Sequence, residues 1–143
     1  MRHLRNLALY LLSLLPLMAG AADGIVIVVN QAAGIETLSR TDVINIFMGR
    51  FRQLPSGATA QPIDMPVSPV RAQFYRVLVN KEPAEINAYW ARLVFAGRTS
   101  PPVQTETADE VLKKLHANPG GIAYLERSRV TSREKIVFEL PAP

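Results

Sequence analysis

The chain contains no cysteine. That excludes disulfides, thiolate nucleophiles, cysteine-held metals and an acylated lipoprotein N-terminus. Histidine is almost as scarce, with only His3 and His116 among 143 residues. No HExxH pattern, no Cys or His cluster and no acidic loop of calcium spacing occurs, so no metal or other cofactor is expected. A Walker loop and a dinucleotide fingerprint are also missing. A serine triad would need His116, which follows Lys113 and Lys114 near a helix end, where a basic group complements the helix dipole. These absences point to a non-catalytic protein.

No apolar run reaches the about 20 residues of a membrane span. The longest, Leu7 to Met18, is broken by Ser13 and Pro16 and is preceded by Arg2, His3 and Arg5. Ala19-Gly20-Ala21 then supplies the small residues of a cleavage site, so residues 1–21 read as a signal peptide cut near Ala21. The expected mature domain is residues 22–143, periplasmic, without stable membrane insertion after cleavage. Removing Arg2 and Arg5 lowers the formal charge from +4 to +2, because all 12 acidic residues lie beyond the cut. The remaining Lys and Arg are scattered rather than striped, which argues against a nucleic-acid partner.

What is present alternates between strand and helix patterns. Gly24 to Val29 is an apolar, β-branched run of the kind buried on both faces of a sheet. Ser39 with Asp42 forms a near capping box for a first helix that Gly49 closes. Phe51 to Gly57 reads as a hairpin or irregular turn, and Gln61 to Met65 as a short strand. A second helix spans Pro69 to about Val79, with Val70, Phe74, Val77 and Leu78 as its buried stripe. A third follows Pro83 and buries Ile86, Tyr89, Trp90, Leu93 and Val94 before Gly97 ends it. Thr107 and Glu110 form a capping box for a fourth, which Asn118-Pro119-Gly120-Gly121 stops. Ile122 to Leu125 and Ile136 to Leu140 complete the set as strands. The expected fold class is α/β, a mixed sheet flanked by helices.

The segment from Ile63 to Tyr75 carries the most chemistry. A strand leads to Ser68 as N-cap, Pro69 as first helical residue, and Arg71 in the first turn. Free backbone amides, a hydroxyl and a guanidinium suit an oxyanion there. The candidate anion ligands are Ser68, Val70 and Arg71. Ser68 and Pro69 are equally explained as ordinary capping residues, with Arg71 then solvated.

The order of blocks resembles the phosphate-binding proteins of bacterial ABC transporters. Leu38-Ser39-Arg40-Thr41-Asp42-Val43-Ile44-Asn45-Ile46-Phe47-Met48-Gly49-Arg50 is similar to their "LS…IF.GK" segment. Ser68-Pro69-Val70-Arg71 falls where they carry a Ser-Gly-Thr phosphate loop. Asp109 through Leu125, with Asn118-Pro119-Gly120-Gly121-Ile122-Ala123-Tyr124-Leu125 at its end, resembles their "NPGAIGYV" segment. The resemblance implies one lobe of a type II periplasmic-binding-protein fold and a ligand such as phosphate or another oxyanion. Pro69 in place of Gly removes one N–H, Val70 in place of Thr removes one hydroxyl, and Asp64 brings a carboxylate close to the loop. The alternative is a module for envelope protein partners or self-association, a homodimer included, that keeps the lobe and not the anion.

Overall fold

A computed structural model describes residues 23–143; the expected signal peptide lies outside these residues. The sheet has four strands, β1 (Ile25–Asn30), β2 (Gln61–Ile63), β3 (Gly121–Glu126) and β4 (Glu134–Glu139), in the order β2-β3-β1-β4. β1 runs antiparallel to both neighbours, and β2 runs parallel to β3. The sheet is therefore mixed. β1 and β3 occupy its centre, which is why both are apolar along almost their whole length rather than alternating.

Four helices pack on it: α1 (Arg40–Phe47), α2 (Pro69–Val79), α3 (Pro83–Phe95) and α4 (Ala108–Ala117). Ser39 and Asp42 close a reciprocal capping box on α1, and Gly49 follows that helix in the left-handed region at φ 73°. A side chain at Gly49 would also strike Trp90 of α3, so the residue fixes how closely α1 and α3 approach. The expected box on α4 is half formed. Thr107 caps the Glu110 amide, but the Glu110 carboxylate reaches the Glu106 amide instead of its own cap. That extra residue of reach places the carboxylate over the loop entering the helix.

The Asn118-Pro119-Gly120-Gly121 turn joins α4 to β3 beneath the start of β2. The Gly120 carbonyl accepts from the Gln61 amide, and an added Cβ there would lie 1.9 Å from the Thr59 carbonyl oxygen. Only glycine lets the two chains meet so closely. β2 proves shorter than the sequence suggested, ending at Ile63 rather than Met65. Beyond it, the Asp64 amide donates to the Val103 carbonyl, and the chain turns toward α2.

On α2 the buried stripe is Arg71, Phe74, Tyr75 and Leu78 rather than Val70, Phe74, Val77 and Leu78. Val70 and Val77 are only partly buried. The stripe is rotated by one position because Arg71 faces inward, against the rule that charged side chains stay wet. Rotation brings Tyr75 into the core as well. On α3, Ile86 and Trp90 are buried as expected and Tyr89 is partly covered, its hydroxyl donating to the Met48 carbonyl at 2.7 Å. Val94 departs from the expected stripe and is 52% exposed, because no element covers the end of α3.

Candidate functional site

Three elements converge behind the first turn of α2. The connection from β2 delivers Asp64, α2 delivers Arg71 and Tyr75, and β3 delivers Tyr124. Arg71 Nε donates to Asp64 Oδ2 at 3.0 Å, and both side chains are almost wholly buried. Arg71 Nη2 donates to Asn87 Oδ1 of α3 at 3.3 Å. The Tyr124 hydroxyl donates to Asp64 Oδ1 and accepts from the Met65 amide at 3.1 Å. Gln104 Nε2 reaches Asp64 Oδ2 at 3.4 Å, and Thr105 Oγ1 donates to the Asp64 carbonyl at 2.7 Å. The Asp64 carboxylate thus has three side-chain donors, the bonding a buried carboxylate needs.

Aromatic rings pack around this pair. Phe74 stacks on Tyr124 with centroids 3.8 Å apart, and Phe47 meets Phe74 edge-on at 5.0 Å. The Arg71 guanidinium lies 5.2 Å from the centre of the Tyr75 ring, a cation–π contact. The buried Tyr75 hydroxyl has no hydrogen-bond partner among the described residues. Burial and the neighbouring Asp64 charge push both the Tyr75 and Tyr124 phenols well above their usual range. Tyr124 therefore remains a donor to Asp64 at any physiological pH. Burial pulls the Arg71 guanidinium down, but the Asp64 charge and hydrogen bond outweigh it and leave the group raised.

Of the three residues named from sequence, the structure brings Ser68 and Val70 to the helix entrance and Arg71 beneath them. Ser68 is an N-cap in extended conformation, and its Oγ accepts from the Arg71 amide at 3.2 Å. Its own proton remains to be donated. The Val70 amide has no acceptor among the described residues, and Pro69 has no amide proton to offer. Arg71 is neither solvated nor pointing at open solvent. Its charge is met from within the molecule by Asp64.

Asn87 and Tyr124 were not legible as site residues, and Asp64 was read only as a source of repulsion. One signal pointed to Asp64: an acidic residue enclosed by Ile63 and Met65 at the end of a buried strand must have a partner. Seven residues later Arg71 is the cation nearest in sequence.

No protein-family model matches the chain, and no curated protein matches it. Solved structures do. A protein from Clostridium perfringens described as a phosphate ABC transporter substrate-binding protein, solved with phosphate bound, aligns over 80% of this chain and 44% of its own, with a TM-score of 0.64 and 15% identity. An ABC-type phosphate transport receptor from Vibrio cholerae aligns over 80% of this chain and 45% of its own, with a TM-score of 0.63 and 16% identity. A third protein, described as phosphate-binding, from Planctomyces limnophilus gives 0.53 and 13% over 80% and 40%. The fold of this chain matches one part of the fold of these neighbours. The chain spans a little under half the length of these neighbours, as a single lobe would. At such identity the likeness fixes the architecture and leaves the ligand to the site itself.

Proposed function

We propose that the chain is a non-catalytic, solute-binding-like module of the periplasm, exported by a signal peptide cut near Ala21, and that its ligand is phosphate or a related oxyanion met at the N-terminus of α2. Ser68 and Val70 are the direct contacts in this reading, through one hydroxyl and one amide, with the positive end of the helix dipole behind them. Arg71 holds the turn from below. The observation that carries the proposal is that this turn leaves two donors unspent on a lobe of the phosphate-receptor fold.

The Asp64–Arg71 pair sets the strength. A charge-assisted bond to a free guanidinium would be about twice as strong as one between neutral groups. With that charge already balanced, two neutral donors facing water give binding in roughly the millimolar range. Thermal unfolding of the exported chain in phosphate, sulfate and chloride at equal ionic strength tests this. Occupancy at ten times the dissociation constant stabilises by about 1.4 kcal/mol. Ser68→Asp keeps the cap yet places a negative charge at the anion position, so it abolishes the shift without lowering the starting stability. Equal melting temperatures in all three salts would refute anion binding.

A second reading is supported by the same buried pair. Asp64 supplies from inside the anion that Arg71 would otherwise seek, so the lobe stands complete without a ligand. In that case the module serves an envelope protein partner or a second copy of itself. Absence of any anion effect, together with a mass that grows with concentration in light scattering, would favour this reading over the first.

A further inference from the structure

The end of α3 and the turn after α1 form a surface unlike the rest of the molecule. Phe95 is 97% exposed, Val94 52% and Phe51 47%. Four arginines lie near them: Arg50 and Arg52 flank Phe51, Arg92 lies one turn before Phe95 on the same helical face, and Arg98 follows the turn that ends α3. Arg52 Nη2 donates to the Arg98 carbonyl at 2.7 Å and joins the two segments into one face. No Asp or Glu occurs between residues 49 and 63 or between 86 and 105. None of the four arginines has a carboxylate within ion-pair distance among the described residues. Asp42 borders the groove beside Arg50, but its carboxylate is bound to the Ser39 amide and hydroxyl.

Helix-dipole complementarity accounts for Arg92 and Arg98. It does not account for one bare and two half-exposed apolar side chains among four arginines without a carboxylate partner. We propose that this face is a peripheral docking surface for anionic phospholipid. Phe95, projecting from a helix end, enters the headgroup boundary, and the arginines meet lipid phosphates with their stems lying along the apolar surface. A protein partner would need a surface shaped to an isolated projecting ring; a lipid interface deforms around it. No helix among the described residues is long and apolar enough to cross a membrane, so the contact is superficial.

Co-sedimentation tests the assignment. The chain is purified after export, its N-terminus read by mass spectrometry, and mixed with phosphatidylcholine vesicles with or without about one-quarter phosphatidylglycerol. The expected result is binding to the anionic vesicles alone, weakening as salt rises. Removing one arginine charge, as in Arg92→Gln or Arg98→Gln, lowers affinity about fivefold, and Phe95→Ser lowers it about tenfold. These side chains are on the surface, so unchanged melting curves verify that the variants fold. Absence of binding, equal binding to neutral vesicles, or binding unaffected by the substitutions would overturn the proposal. So would self-association reversed by Phe95→Ser without vesicle binding, which would assign the face to a second copy.

Discussion

Asp64 and Glu134 are both buried carboxylates, and the molecule holds them by different means. Asp64 faces a guanidinium that is charged at every relevant pH, reinforced by a tyrosine hydroxyl. Glu134, the first residue of β4, accepts from the Thr131 amide at 2.7 Å and the Thr131 hydroxyl at 2.8 Å, and meets His116 Nε2 at the end of α4. The first arrangement locks three elements through fixed charge. The second ties α4 to β4 through His116 alone, a side chain whose charge depends on pH, while the neutral donors that hold the carboxylate come from Thr131 in the turn just before β4. One corner should therefore yield to substitution and the other to acid.

The largest effect should come from Arg71→Met. It leaves the Asp64 charge buried beside aromatic rings, at a cost of about 3–5 kcal/mol in urea unfolding. Adding Asp64→Leu to that variant should recover most of the loss, since apolar replacement of a whole buried pair is often neutral. A double variant no more stable than Arg71→Met would show that the pair supplies more than mutual compensation.

Gly120→Ala should cost about 1–3 kcal/mol, by forcing the turn before β3 away from Thr59. Because Gly120 touches neither Asp64 nor Arg71, its effect should add to that of the Arg71 variant rather than merge with it. Coupling between the two would mean that the corner and the turn deform together.

Glu134→Gln should cost about 1–2 kcal/mol at neutral pH. Burial pushes the Glu134 carboxyl up, but the Thr131 amide, His116 and the Thr131 hydroxyl more than reverse this, leaving it below its ordinary value of 4.5. A lowered folded-state value means the contribution is complete above the unfolded value and is lost as pH falls through the folded one. The wild type should thus lose stability below about pH 4.5 more steeply than Glu134→Gln. Identical acid limbs would remove Glu134 from the account.

The sequence revealed the frame better than the centre. α2 begins and ends at the expected residues, β1 reads as a buried run and β3 as a strand, and Ser39, Ser68 and Thr107 are caps as predicted, because these signals are local. The inward face of α2 was misread because a helical stripe scored on apolar residues alone cannot anticipate a buried arginine. Arg71 turns inward only because Asp64, Asn87 and Tyr75 are waiting, and these lie on three separate elements. His116 illustrates the same limit. Its place at the end of α4 was expected from the dipole, whereas its contact with Glu134 depends on the register of β4, 18 residues further along. In each case the missing information is a pairing across the fold.

The smallest expected effect bears on function. If Asp64 satisfies Arg71 from within, phosphate has only the entrance of α2 to bind. Amide resonances of isotopically labelled protein, followed through an inorganic phosphate titration, report on that entrance directly. The account predicts saturable movement centred on Val70 and its neighbours, with a midpoint of roughly millimolar phosphate, and no movement in Ser68→Asp. Resonances that stay fixed throughout, or an equal response in Ser68→Asp, would contradict it.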